Sequence, residues 1–381
     1  MKPSNSQSIK AENIRLVMRK LIELRETSRV ELAKTTTLTK KTVSSIINEL
    51  IEKDLVVETN RCVKTSGRSA QVIALNKNAG RIISIELLTT SIYGIISNIY
   101  GEILYEVRRE IHSPHFPPYL KILLETIDEL KENTYVSPYG LIGIGVAVYG
   151  ILSKNKKIKF APFVSWKDID LKSIIEEYVG VKSFIENEAN ISALGELMMF
   201  PDYDNIITIN IGIGVGMGII INGKLYTGED GFAGEIGHTT VVPNGKACVC
   251  GNYGCLETYI SDTAIISSYH KETSKTITLD QFIELYKNKD TTATTIYKEF
   301  INKLSVAVSN IAHLFNPKMI IISSQIVEGI PESISLIKNN LRSQIMSLDV
   351  LTVSKHQSKT NVLGLTHAII QDFLSVDDYH L

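Results

Sequence analysis

A chain of 381 residues with 44% apolar and 21% charged side chains has the make-up of a globular protein and the length for two or three domains. Four cysteines in this length argue against a disulfide framework, and the opening MKPSNSQSIKAEN lacks the apolar run of a secretory leader, so a cytoplasmic protein is expected. The net charge of −1 hides an asymmetry: up to Leu75 there are 14 Lys and Arg against 8 Asp and Glu, and beyond it 26 against 33. A basic front on an acidic body is the footprint of a nucleic-acid module joined to something else.

The first predicted helix carries Ile14, Val17, Leu21 and Leu24 at helical spacing. Ser28 and Glu31 in SRVE read as a capping box opening a second, short helix. A third starts near Thr39 and gathers Val43, Ile46, Ile47, Leu50 and Ile51 on one face. Lys40, Lys41, Thr42, Ser44, Ser45 and Asn48 lie on the other, a polar and basic face suited to a major groove. DLVVE and QVIAL then read as two strands joined by a loop with Arg61, Lys64 and Arg68. The pattern is that of a winged helix-turn-helix over residues 1–75, with Arg68 reaching phosphate or the minor groove. A helical protein-interaction module with merely solvated lysines would share it.

After Lys77 the character changes. RIISIELLTTSIYGIISNIYGEILYEV reads as three strands, with a turn at Tyr100-Gly101, and NIITINIGIGVGMGIIINGKLYTG reads as a second such unit with a hairpin turn at Asn222-Gly223. Four glycines and Asn210 interrupt the most apolar stretch, Ile206 to Ile221, which rules it out as a membrane span. Two similar β-units, each followed by helical segments, predict a duplicated two-lobed α/β domain over residues 76–381. The smaller lobe takes about 76–185 plus the C-terminal segment, the larger about 186–345, and a ligand belongs in the cleft between them.

His238, Cys248, Cys250 and Cys255 follow the spacing His-x9-Cys-x-Cys-x4-Cys, the Cys3His set of a structural zinc site. Four protein ligands leave no open position for an activated water, which argues against a metal hydrolase or isomerase. Glu235 and His238 are three apart, so a helical or tight turn puts them on one face.

LIGIGVAVYGIL, FIENEANISALGE, GFAGEIGH and CVCGNYGCLETY follow one another as in the ROK family of repressors, open reading frames and sugar kinases. With the leading helices, the chain resembles the family's transcriptional repressors, most of all those of Gram-positive xylose operons. That resemblance implies an actin-like, sugar-kinase-like fold behind the winged helix. It implies a monosaccharide inducer, xylose first, contacted by Gly150, Asn187, Glu188, Glu235, His238 and Glu257. It also implies a homodimer, or a dimer of dimers, on a palindromic operator. The alternative is an ATP-dependent sugar kinase carrying a DNA-binding domain. Against this, the kinases' first phosphate loop is replaced by ELLTT with Leu88 at a glycine position. Their Gly-Thr-Gly becomes Gly212-Ile213-Gly214, and their paired glycines after NP become Ser323-Ser324-Gln325. Their catalytic Asp becomes Glu188, one methylene longer, so no catalytic residue is expected and ATP is not an expected ligand. Tyr149 precedes Gly150 where the kinases usually carry Pro. Phe163 and Trp166 read as core residues that a cleft could also use.

Overall fold

The computed structural model describes residues 6–65, 68–133, 136–161, 166–200, 202–346, 348–355 and 357–374. In chain order the N-terminal segment contains α1 (Ser6–Leu24), β1 (Glu26–Ser28), α2 (Arg29–Thr36), α3 (Lys40–Glu52), β2 (Val56–Thr65) and β3 (Arg68–Leu75). There follow β4 (Arg81–Leu87), β5 (Ser91–Asn98), β6 (Ile103–Glu110), α4 (Phe116–Glu132), β7 (Leu141–Val148), β8 (Ile151–Leu152), β9 (Ile158–Ala161), β10 (Trp166–Ile169), α5 (Leu171–Val179) and β11 (Ser183–Asn187). Next come α6 (Glu188–Met199), β12 (Ile206–Ile211), β13 (Val215–Ile221), β14 (Lys224–Leu225), α7 (Glu257–Ile260), α8 (Asp262–Thr273), α9 (Leu279–Lys287) and α10 (Thr291–Phe315). The chain closes with β15 (Met319–Ser324), α11 (Gln325–Gly329), α12 (Ser333–Asn340), β16 (Val350–Val353) and α13 (Gln357–Leu374). Among the described residues, no helix is long and apolar enough to cross a membrane.

Two compact units result. The first comprises residues 1–150, 156–186 and 362–381, the second residues 151–155 and 187–361.

The first unit begins with three helices and the antiparallel sheet β1-β3-β2. Ser28 caps α2 by accepting from the Glu31 amide at 3.2 Å, but only this half of the expected capping box forms, because the Glu31 carboxylate pairs with Lys34 instead. Thr39 caps α3 by accepting from the Thr42 amide at 3.1 Å. Val17, Met18, Leu21 and Ile22 are the buried residues of α1, whereas Leu24, expected on that face, is 37% exposed at the last turn. Val43, Ile46, Ile47 and Leu50 are all buried, as the periodicity of α3 predicts. Their core is continuous with Ile82 and Ile99 of the following sheet and with Ile369, Ile370 and Leu374 of α13. The sheet β11-β7-β4-β5-β6 completes the unit.

The second unit repeats this topology. Its sheet runs β14-β13-β12-β15-β16, with β12 antiparallel to β13 and parallel to β15, as β4 is antiparallel to β5 and parallel to β7. Asn222 and Gly223 turn β13 into β14 with φ of 53° and 73°, the left-handed pair that a two-residue hairpin requires. Alternate strand residues divide the two faces. Ile206, Ile220, Met319 and Ile321 meet Ala193 and Leu197 of α6, while Ile207, Ile209, Ile320 and Ile322 belong to the large core with Phe300, Leu304 and Val308 of α10. The glycines of β13 explain how closely α6 lies: a Cβ on Gly218 would stand 2.3 Å from the Ala189 carbonyl oxygen, and one on Gly216 would stand 2.9 Å from the Ala189 Cβ.

Candidate ligand site and metal-donor cluster

Close seating of α6 on β13 brings the helix N-terminus to the start of the strand. Asn187 is the N-cap, its Oδ1 accepting from the amides of Ala189 at 2.9 Å and Asn190 at 3.4 Å. Glu188 follows, and its Oε1 would lie 3.3 Å from a Cβ at Gly216. From the other side, a Cβ on Gly237 would stand 2.3 Å from the Val215 carbonyl oxygen and one on Gly234 would stand 2.0 Å from that of Met217. The segment between them carries Glu235 and forms a single 3-10 turn, Ile236–His238. Glu257, at the first turn of α7, accepts from the Val215 amide at 3.1 Å. Asn187, Glu188, Glu235, His238 and Glu257 are thus gathered around Val215–Met217 within one unit, each half-buried.

The expected shared face of Glu235 and His238 is present, with Glu235 Oε2 4.0 Å from His238 Nε2. Burial holds the Glu235 carboxyl above the ordinary carboxylate range; His238 opposes that rise and Glu257 adds to it. Three converging carboxylates suit a neutral ligand with several hydroxyl donors and repel a phosphate. Gly150 belongs to the first unit, where a Cβ would stand 2.7 Å from the Phe160 carbonyl oxygen, so its own chain already requires glycine there.

His238 turns its other nitrogen to the cysteines. Cys248 Sγ lies 3.6 Å from His238 Nδ1 and Cys250 Sγ lies 3.7 Å from Cys255 Sγ; one donor atom from each of the four residues falls within 4.8 Å of all the others. Tetrahedral coordination at ordinary zinc distances places two thiolates about 3.8 Å apart and a thiolate and an imidazole nitrogen about 3.6 Å apart. The donor set therefore fits a tetrahedral metal ion. Burial raises the Cys248 thiol and pushes Cys255 up to about 12, while the Asn252 backbone amide favours the Cys250 thiolate. A divalent cation supplies the positive charge that three clustered thiolates need. Backbone pairing of Cys248 with Asn252 and of Gly254 with Lys246, and Tyr259 Oη accepting from the Lys246 amide at 3.0 Å, hold the donor loop. Tyr259 was invisible as a loop anchor in the sequence, where it is one aromatic residue between Thr258 and Ile260.

At the positions corresponding to the kinase phosphate loops, the chain fills its own space. Leu87, Leu88, Thr89, Tyr119, Val148, Tyr149 and Trp166 line a cavity of only about 10 Å³, about the room of one water. Tyr149 Oη donates to Glu86 Oε1 at 2.9 Å, an interaction foreseen for neither residue. Trp166 is core, 3% exposed, edge-on to Phe116 and Tyr119; Phe163 lies outside the described residues. In the second unit the carbonyls of Gly212 and Ile213 are taken by the Asp262 amide and the Thr263 hydroxyl. Burial pushes Asp262 up to about 6 beside this loop.

On α3, Lys40, Lys41, Ser45 and Asn48 are exposed and Thr42 and Ser44 half-buried. The Thr42 hydroxyl is drawn back to Thr39 at 2.8 Å, which leaves the lysines, Ser45 and Asn48 as the outward groups. Arg61 sits in β2 rather than in a loop, paired with Glu26 at 3.0 Å. The side chain of Arg68 lies outside the described residues.

A duplicated sugar-kinase-like body behind a three-helix head, with a carboxylate-lined site tied to a four-donor metal cluster, defines the class. The chain belongs to the ROK family, whose pattern matches residues 82–372. It is 35% identical over 376 residues to a protein named xylose repressor from Bacillus spizizenii, spanning 97% of both chains. It is 30% identical over 276 residues to a glucokinase of Thermotoga maritima, covering 68% of this chain and 84% of that one. A crystal structure of a ROK family transcriptional regulator, described as a homologue of the E. coli MLC protein, superposes with a TM-score of 0.81 at 26% identity, covering 96% of this chain and 98% of that one.

Proposed function

We propose that the chain is a sugar-responsive transcriptional repressor whose inducer is an aldose, D-xylose first, and that it is not an enzyme. The observation that carries this reading is the likeness to xylose repressors along nearly the whole chain, head included, whereas the glucokinase likeness covers 68% of it. The head acts as a winged helix-turn-helix. Two copies place their α3 helices in successive major grooves of a palindromic operator, with Lys40, Lys41, Ser45 and Asn48 toward the DNA, Thr42 and Ser44 at the edge of that face, and Arg68 assigned to the DNA from the sequence alone. In the body, Asn187, Glu188, Glu235, His238 and Glu257, with the backbone at Gly150, hold the sugar hydroxyls.

Zinc is the metal proposed for His238, Cys248, Cys250 and Cys255, and its role is structural. Bound through Nδ1, it would fix the His238 tautomer so that Nε2–H faces Glu235 and the sugar. A bound ion would supply the positive charge that keeps three thiolates ionised; ligand recognition is assigned to the chain's own carboxylates.

Against phosphoryl transfer stand the tightly filled first loop, the Glu86–Tyr149 pair and Asp262 at the second loop. The test is direct. Purified protein is expected to melt at a higher temperature with D-xylose, because a ligand of the folded state stabilises it, and to release its operator in a gel shift. Magnesium-ATP-dependent phosphorylation of xylose or glucose above a protein-free blank would refute the repressor-only reading.

A further inference from the structure

Helix α13 is one unbroken element, Gln357–Leu374, yet the boundary between the two compact units falls inside it, between Asn361 and Val362. Its first turn packs on α6. A Cβ on Gly195 would stand 2.2 Å from the Thr360 carbonyl oxygen, so the two backbones approach as closely as glycine alone permits. Just before the helix, Ser354 donates to the buried carboxylate of Glu196, the next residue of α6.

Beyond Val362 the same helix lies on β7, with Leu365 over Gly145 and Ile369 over Gly143. Thr366 Oγ1 shares hydrogen bonds with Ser84 Oγ at 2.9 Å and Ser97 Oγ at 3.3 Å, which pins the rotation of the helix on the sheet. Its last turns enter the core that holds Val43, Ile47 and Leu50 of α3. There Phe373 meets Tyr139 edge-on, and Tyr139 Oη donates to the carbonyl of Lys53, the C-cap of α3.

We propose that α13 is a stiff relay carrying the state of α6, which opens with Asn187 and Glu188, to the DNA-facing helix α3. The proposal rests on the repressor reading above and names its transmission element. An unbroken helix passes an axial or rotational displacement along its length because each turn is hydrogen-bonded to the next. Each end is closely seated within its own unit, on α6 through Gly195 and on β7 through Gly143 and Gly145.

The test places a flexible joint at the boundary with the double variant Thr360→Gly/Asn361→Gly. The wild-type protein first selects its operator from a pool of random duplexes, and D-xylose affinity is measured by calorimetry. In the variant, each ligand alone is expected to bind within about threefold of wild type, while the ratio of operator Kd with and without saturating xylose falls from about tenfold or more to below about twofold. A cooperative melt confirms folding. A wild-type ratio in the folded variant overturns the relay, as does loss of xylose or operator affinity by itself, which would mark the helix as scaffold only. Gly195→Ala, which drives a methyl group into Thr360, gives a second reading of the ratio from the other side of the contact. If the wild-type protein binds neither xylose nor a selected duplex, the repressor reading fails; if it binds both and the variants keep its ratio, only the relay fails.

Discussion

His238 joins two sites through one ring: Nδ1 faces Cys248 at 3.6 Å and Nε2 faces Glu235 at 4.0 Å. Losing one thiolate should therefore reach the ligand. Cys250→Ser is expected to lower bound zinc from about one per chain toward zero and to weaken the xylose response by about tenfold or more, as removal of partners around a ligating histidine does. Elemental analysis on protein purified without chelators, together with a thermal-shift titration, checks both. This cluster was legible because its donors are close in sequence and their chemistry is specific. Glu328 was not legible, because nothing local in the sequence marks its half-buried setting on α11. Burial pushes its carboxyl up to about 7, above the unfolded value, so the folded state favours the protonated acid. Its contribution is fully present below the unfolded pKa of 4.5 and is lost as pH rises through about 7. Glu328→Gln is expected to stabilise the protein at pH 8 by about 1 kcal/mol, after discounting for solvent screening. At pH 5 the gain should be near zero, and chemical denaturation at the two pH values measures the difference.

At the scale of elements, the proposed function gives α3 two tasks on its two faces. Lys41 is exposed, and Lys41→Ala is expected to cost about 1 kcal/mol or more of operator affinity and to flatten the salt dependence, with stability and xylose affinity unchanged. Ile47 is fully buried, and Ile47→Ala is expected to cost about 2–5 kcal/mol of stability. Fluorescence anisotropy over a salt series and urea melts on both variants test the division; equal effects on binding and stability would contradict it. Such periodic faces were readable because the 3.6-residue repeat is local. The hairpin turn at Asn222-Gly223 was readable for the same reason, since its left-handed φ angles select those residues. Strand β1 was missed: at three residues it has no pattern of its own and exists through pairing with β3. Strands β2 and β3 run further than the apolar runs DLVVE and QVIAL indicated, because backbone pairing resumes at Cys62–Gln71 and continues to Thr65–Arg68. The sequence offered no role for Gly216 and Gly218 of β13, which admit α6 to the sheet.

For the whole molecule, the duplicated sheet order was visible as two similar strand triplets, but the boundary inside α13 was not, since it is set by which distant segments each part of the helix packs against. The division has a consequence for the switch. Glu188 opens α6 in the second unit, while Lys41 and the rest of the α3 face stand in the first, so loss of the sugar contact should leave operator binding intact. A charged hydrogen bond to a sugar hydroxyl is worth about 1.5–3 kcal/mol, so Glu188→Ala should raise the xylose concentration for half-release of operator by about ten- to a hundredfold. The comparison with wild type is a gel-shift titration in which operator affinity is first fixed without sugar. Release at the wild-type xylose concentration would place the ligand away from the α6 N-terminus. Loss of operator binding without sugar would assign Glu188 to the fold, because the helix start it occupies is packed against Gly216 of β13. Retained operator affinity with displaced release is the outcome that separates a ligand contact from a structural one.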